Sequence, residues 1–281
     1  MNALCAILKE MGYGQPTSVI PFLDAEDGSP YSVWLVTYPD ATYVLKKAKG
    51  AEKAIYARYF CNSLQFAPRL VASMGEYLLL EYIPGEDLMV CTREKLTLAL
   101  DALVQMLEHF GEEKAADIPE NRYNRRKYLM DPGLEAAYDA YLAAFFDMPA
   151  FFCHDDLLPF NVRINEDRAV LIDWEVAGVL PYPTAFARLI AHTDEDENAF
   201  FYMSNADKTF AIDYFYQHFA RKHNIPYETY LYHLDLCLLY EYCEWVYVGN
   251  RYGNTDNDRY RKYRKMALLQ AEKLGFNQID G

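Results

Sequence analysis

Residues 151–178 read FFCHDDLLPFNVRINEDRAVLIDWEVAG, a short strand-and-loop island between two long helical blocks, and no other feature constrains the fold as tightly. Val162–Ile164 and Ala169–Ile172 are β-rich runs around Asn165-Glu166-Asp167, which predicts a tight hairpin. Such a hairpin turns the chain back and sets Asp173 beside Asn161. Asp156 and Asn161 lie on one loop containing Pro159, so both can face a single cavity.

The rest of the chain frames that island. Ser32–Tyr38 and Thr42–Ala48 flank Pro39-Asp40-Ala41 and predict a hairpin, Gly50–Asn62 carries helix formers, and Pro68–Met74 and Glu76–Ile83 are two further apolar runs. Pro84-Gly85 is a strong break. Beyond it Thr92 can cap a helix whose Leu96, Leu100, Leu103 and Leu107 form one buried stripe. A second helix is expected over Leu134–Phe146, and the stretch from Pro183 to Leu274 reads as helical. A small sheet with one main helix, then a connector, then an interrupted helical block is neither alternating βαβα nor all-α. The expected division is residues 1–83 and 84–281, and 281 residues suffice for two units sharing an interface.

Charge narrows the partners. The net charge is −14, from 41 acidic against 27 basic residues. That balance disfavours nucleic acid and anionic membrane surfaces and favours a cationic small molecule; solubility alone is the alternative account. The six cysteines are scattered without a CxxC pair, which argues against a zinc site or a disulfide framework and suits a cytoplasmic protein. The N-terminal MNALCAILKEMGYG has no basic leader and reads as a small amphipathic helix, and no apolar run is long enough to span a membrane. Aromatic residues reach 16%, suiting a core or a half-wet pocket equally.

The residue types in the island suit phosphoryl transfer. That reaction needs a carboxylate beside the attacking hydroxyl, oxygen ligands for Mg²⁺, and a cation on the phosphates. Asp156 fits the first role; Asn161 and Asp173 fit the second.

His154-Asp155-Asp156-Leu157 through Asn161, followed by Ile172-Asp173, resembles the catalytic and metal loops of the aminoglycoside phosphotransferase and choline kinase superfamily. The resemblance runs over nearly the whole chain. It implies an α+β, two-lobed protein-kinase-like fold, with a small antiparallel-sheet N-lobe for nucleotide and a larger, mainly helical C-lobe for catalysis and substrate. It also implies that Asp156 is catalytic with His154 orienting it, and that ATP, with GTP possible, binds together with Mg²⁺. Lys46 resembles the phosphate-binding lysine, preferred over Lys47 because alternate strand residues face opposite sides. Glu52 resembles the acid that pairs with that lysine, or is a solvated first-turn acid. Leu80 to Gly85 resembles the hinge, where backbone groups of Glu81 and Ile83 would meet adenine.

There are departures from the family pattern. Asp24–Ser32 stands where a glycine-rich loop is expected and holds only Gly28, leaving Ser29, Ser32 and backbone amides for phosphate. The metal-loop triplet is Asp173-Trp174-Glu175, and no Asp-Phe-Gly or Ala-Pro-Glu occurs, which argues against a protein kinase. Ala185 to Leu189 lacks an Asp that relatives often place before this helix. Asp194 and Glu195, in the run Asp194 to Glu197, and Glu241 with Trp245 on one helix face are the expected acceptor residues. They suit an aminoglycoside-like or a choline-like cation, and a solvated helix start is the alternative for the acidic run. The expected activity is transfer of the ATP γ-phosphate to a hydroxyl of a small cation, by a monomer or homodimer. The second reading is a kinase-like nucleotide-binding or regulatory protein without transfer.

Overall fold

The computed structural model describes residues 2–24, 28–60 and 64–276. Cys61 and residues 25–27 of the expected phosphate loop lie outside them. Helix α1 (Asn2–Glu10) precedes strands β1 (Ser18–Leu23), β2 (Pro30–Thr37) and β3 (Thr42–Lys47), helix α2 (Glu52–Tyr59), and strands β4 (Leu70–Met74) and β5 (Tyr77–Glu81). The five strands form one antiparallel sheet in the order β1-β2-β3-β5-β4.

The two faces of this sheet do different things. On one, Leu8 of α1 packs with Val36, Leu45 and Leu79 in a small closed core. On the other, Leu78 and Leu80 join Ile55, Tyr56 and Phe60 and run into the main core of the molecule. Helix α2 is therefore held between the sheet and the helical part. The expected β2–β3 hairpin and the β4–β5 pair are present. Strand β1 is an addition: its Pro21 disguises it, and a proline is tolerated because β1 lies at the sheet edge.

Past the connector come β6 (Glu86–Asp87), α3 (Arg93–Phe110), β7 (Glu112–Glu113), α4 (Glu120–Arg126) and α5 (Pro132–Ala144). Thr92 Oγ1 accepts the Lys95 N–H and caps α3, whose leucine stripe is fully buried. The island follows as β8 (Ala150–Cys153), a 3₁₀ turn at Pro159–Asn161, β9 (Val162–Asn165), β10 (Arg168–Leu171) and β11 (Gly178–Pro181). Helices α6 (Thr184–Ala191), α7 (Asn205–Phe215), α8 (Tyr227–Tyr252) and α9 (Asp258–Lys273) complete the chain, with a π-helical turn at Tyr216–Ala220. Helix does not run unbroken after Pro183, because 192–204 is an irregular loop.

The connector is tied to the island by backbone. Glu86 pairs with Ile164, the Leu88 N–H donates to the Pro159 carbonyl at 3.1 Å, and Gly85 adopts φ +127°. A Cβ at Gly85 would lie 2.0 Å from the Ile164 oxygen, so only glycine fits there. Among the described residues five cysteines are free, and no helix is long and apolar enough to cross a membrane.

Candidate active site

The sheet delivers a lysine inward. Pairing of β3 with β5 leaves Lys46 buried, while Lys47 faces solvent beside Glu76. Lys46 Nζ donates to Glu52 Oε1 at 2.8 Å and to Asp173 Oδ1 at 2.5 Å. Glu52 is fully buried at the first turn of α2 and is no solvated acid, and its Oε2 lacks a hydrogen-bond partner. Burial pushes the Glu52 carboxyl up, with Lys46 pulling it down. Burial alone would lower the Lys46 ammonium, but Asp173 and Glu52 outweigh it and hold the group cationic.

The island supplies the opposing wall. Register Val162↔Leu171 and a 2.9 Å bond from the Ile172 N–H to the Asn161 carbonyl place Asn161 and Asp173 side by side. Asp173 sits at φ +67°, a left-handed conformation that non-glycine residues adopt rarely and mainly at functional turns. Trp174 anchors this turn: it is fully buried, its Nε1–H donates to the Leu171 carbonyl at 2.8 Å, and its ring lies 4.7 Å from that of His154.

His154 is fully buried and joins the two loops. Its Nε2–H donates to the Ile172 carbonyl at 2.8 Å, and its Nδ1 accepts the Asp156 N–H at 3.2 Å. Burial lowers its pKa, so the ring is neutral and serves to orient. Asn161 Nδ2 donates to the Asp156 carbonyl at 2.8 Å, which leaves Oδ1 as the oxygen offered to a cation. Asn161 Oδ1 and Asp173 are hard oxygen donors, and Glu52, Asp173 and Glu175 bring carboxylate oxygens within 4.8 Å of one another. This donor set fits Mg²⁺. Asp155 turns away from the cleft into a bidentate pair with fully buried Arg122, at 2.7 and 3.0 Å, and so anchors the loop from behind.

Asp156 keeps about a third of its side chain exposed to the cleft. Burial raises its carboxyl to about 6, with Arg188 pulling it down and Glu244 and Asp173 adding to the rise. Arg188, on α6, donates from Nε (3.0 Å) and Nη2 (2.7 Å) to the single oxygen Asp156 Oδ1. Its Nη1 donates to Glu241 Oε2 at 2.8 Å and also bonds Glu244.

This arginine corrects one expectation and adds a residue the sequence did not reveal. Glu241 is not open to a cationic acceptor: it is only 1% exposed, and its carboxylate is closed between Arg188 and His192. Burial would raise its pKa, but Arg188 and His192 hold it down to about 2. The helical spacing identifies its face correctly, but that face turns inward against α6. Trp245 is partly buried between Arg259, 4.5 Å from its ring, and Tyr263.

The remaining expected residues lie around the rim. Asp194 forms a 2.5 Å ion pair with Lys262, and Glu195 Oε1 accepts the Asn205 N–H at 2.9 Å at the start of α7. Glu195 to Glu197 remain exposed. Their loop folds back so that Phe201 packs against Phe160 of the 3₁₀ turn at Pro159–Asn161, ring centroids 5.6 Å apart, beside exposed Phe200. At the hinge the Glu81 N–H is spent on the Arg69 carbonyl at 2.9 Å, which removes that donor from a nucleotide, and Ile83 is buried. Ser29 closes the β1–β2 turn by accepting the Asp24 N–H on its carbonyl, and Ser32 is exposed on β2.

The model of the Phosphotransferase enzyme family matches residues 23–215, which span both walls of this cleft. No curated protein matches the sequence. Among solved structures, a thermostable mutant of aminoglycoside phosphotransferase APH(4)-Ia, in complex with AMP-PNP and hygromycin B, is 15% identical with a TM-score of 0.63, over 96% of this chain and 98% of that one. Choline kinase LicA from Streptococcus pneumoniae is 17% identical with a TM-score of 0.60, over 97% and 100%. An ethanolamine kinase from Plasmodium vivax is 13% identical with a TM-score of 0.56, over 87% and 79%. At such identities the likeness establishes the fold, which is the two-lobed protein-kinase-like one. Because the matched span, residues 23–215, covers more than half of it, the chain belongs to the phosphotransferase enzyme family.

Proposed function

We propose that the protein transfers the ATP γ-phosphate to a hydroxyl of a small cationic molecule, aminoglycoside-like or choline-like. The observation that carries this reading is the meeting of Lys46, from the sheet, with Asp173 of the island, where Asn161 is bonded to the Asp156 backbone. Lys46 would hold phosphate oxygens when Asp173 turns to a metal, with Glu52 keeping its ammonium in place. Asn161 Oδ1 and Asp173 would hold Mg²⁺, which would supply positive charge to offset that of the phosphates. Asp156 would orient the acceptor hydroxyl and take its proton. His154 would keep the Asp156 backbone in register with Asp173. The adenine would lie against the Glu81–Ile83 hinge, with Ser29 and Ser32 near the phosphates. We place the lobe boundary between Ile83 and Pro84, where Pro84-Gly85 turns the chain onto the island.

For the acceptor, the loop from Asp194 to Tyr202 replaces Glu241. Exposed Glu195 to Glu197 stand near Phe160, Phe200 and Phe201, a combination that favours a cation with apolar parts. The choline and ethanolamine kinases and the hygromycin-bound phosphotransferase named above support this class. We place the protein in the cytoplasm, as a monomer or homodimer.

Purified protein with Mg-ATP or Mg-GTP and a panel of choline, ethanolamine and aminoglycosides tests the reading. Transfer to at least one acceptor is expected, reduced roughly 10²- to 10⁴-fold by Asp156→Ala. Full activity in that variant contradicts the role given to Asp156. A second reading, nucleotide binding without transfer, is favoured by the Asp24–Ser32 turn, whose sole glycine is Gly28. Mg-dependent ATP binding without transfer to any acceptor would support it.

A further inference from the structure

Arg188 stands at the centre of a charge network that no step described so far uses. Three of its nitrogens engage three carboxylates. Nε and Nη2 converge on Asp156 Oδ1 alone, and Nη1 reaches Glu241 and Glu244. Nη1 also lies 3.0 Å from His192 Nε2, and His192 Nδ1 is 2.9 Å from the Tyr263 hydroxyl of α9. The side chain is 12% exposed. A guanidinium so enclosed needs partners, and Glu241 with Glu244, one turn apart on α8, provide them.

The geometry at Asp156 is specific. Two donors on one oxygen hold Oδ1 in place and leave Oδ2 outside the arginine's fork, on a side chain that is 34% exposed. A lysine ammonium, a single point charge on a flexible stem, cannot reproduce that fork. We propose that Arg188 is the positioning residue of Asp156, an assignment that rests on the kinase reading above. Helix α6 thereby sets the angle of the proton acceptor, and Glu241 and Glu244 hold the arginine rather than the substrate. Glu241, 1% exposed, is thereby closed to a cationic acceptor.

The acceptor need not be known to test this, because hydrolysis of Mg-ATP puts water in the place of the hydroxyl. Two variants separate positioning from folding. Arg188→Lys keeps the buried cation, and Arg188→Ala with Glu241→Gln removes one charge of each sign, so neither leaves the same unpaired carboxylates as Arg188→Ala alone. For both, thermal melting, the Mg-ATP dissociation constant and the hydrolysis rate are measured. The expected result is a cooperative melt, a dissociation constant within about threefold of the unaltered chain, and hydrolysis reduced about 10- to 100-fold, less in the lysine variant than in the double one. The loss falls on kcat, with KM for Mg-ATP unchanged, which a purely structural role would not produce.

Hydrolysis that is unchanged or faster, with nucleotide binding intact, would overturn the assignment alone. Loss of the melt or of nucleotide binding in Arg188→Lys would make the arginine a structural clamp and also overturn it. Absence of both Mg-ATP binding and hydrolysis in the unaltered chain would overturn the kinase reading and this assignment with it.

Discussion

In the proposed transfer Asp156 must be ionised to accept a proton, yet it is set where burial opposes ionisation. Its carboxyl is raised from 3.8 to about 6 by burial, against the pull of Arg188. A raised carboxyl means that the proton-accepting form is present above that value and lost below it. The rate of transfer, or of Mg-ATP hydrolysis, is therefore expected to fall about tenfold per pH unit below pH 6 and to level off above it. A rate profile flat down to pH 4 would contradict the role of Asp156. The residues of the cleft differ in how far the sequence exposed them. That Asp173 would return beside Asn161 was legible because a local hairpin restricts the spacing. Arg188 was not, because its partners Asp156, Glu241 and Glu244 are 32, 53 and 56 residues away. An arginine on a short helix otherwise reads as a surface charge. Arg122 escaped notice for the same reason, its partner Asp155 being 33 residues away.

At the scale of elements, the connector is where backbone chemistry shows most directly. Gly85 combines φ +127° with a close approach to the Ile164 carbonyl, so Gly85→Ala meets both strain and collision. Its expected cost is above about 1 kcal/mol, which for a chain this long lowers the melting temperature by roughly 2–4 °C per kcal/mol. An unchanged melting temperature would show that the Glu86–Ile164 pairing does not hold the connector to the island. The long periodic elements, α3 with its leucine stripe and the β2–β3 hairpin, were readable because pattern and capping agree. Strand β1 was hidden by Pro21. Strand β11 spans only four residues, too few for any period to register. The loop at 192–204 was hidden by its own helix-compatible residues, and backbone bonds from Asp194 to Phe201 and from Tyr202 to Met89 shape it instead.

Across the whole molecule, the sheet and the helical part meet through α2, whose Glu52 faces the cleft while Ile55, Tyr56 and Phe60 pack into the main core. That arrangement lets one ion pair, Lys46 with Asp173, join the two walls directly. The overall architecture was legible from the order of elements, and the family from the island. The acceptor was not, because recognition rests on which acids remain exposed after folding, and Glu241 shows that spacing alone does not decide this. In the proposed reaction Lys46 and Asp173 build a nucleotide site that works with a metal. Calorimetric titration of ATP with and without Mg²⁺, on the unaltered chain and on Asp173→Ala, tests it most directly. Binding is expected to require Mg²⁺ in the unaltered chain and to be abolished or strongly weakened in Asp173→Ala. Equal ATP binding in the two proteins, indifferent to Mg²⁺, would contradict it.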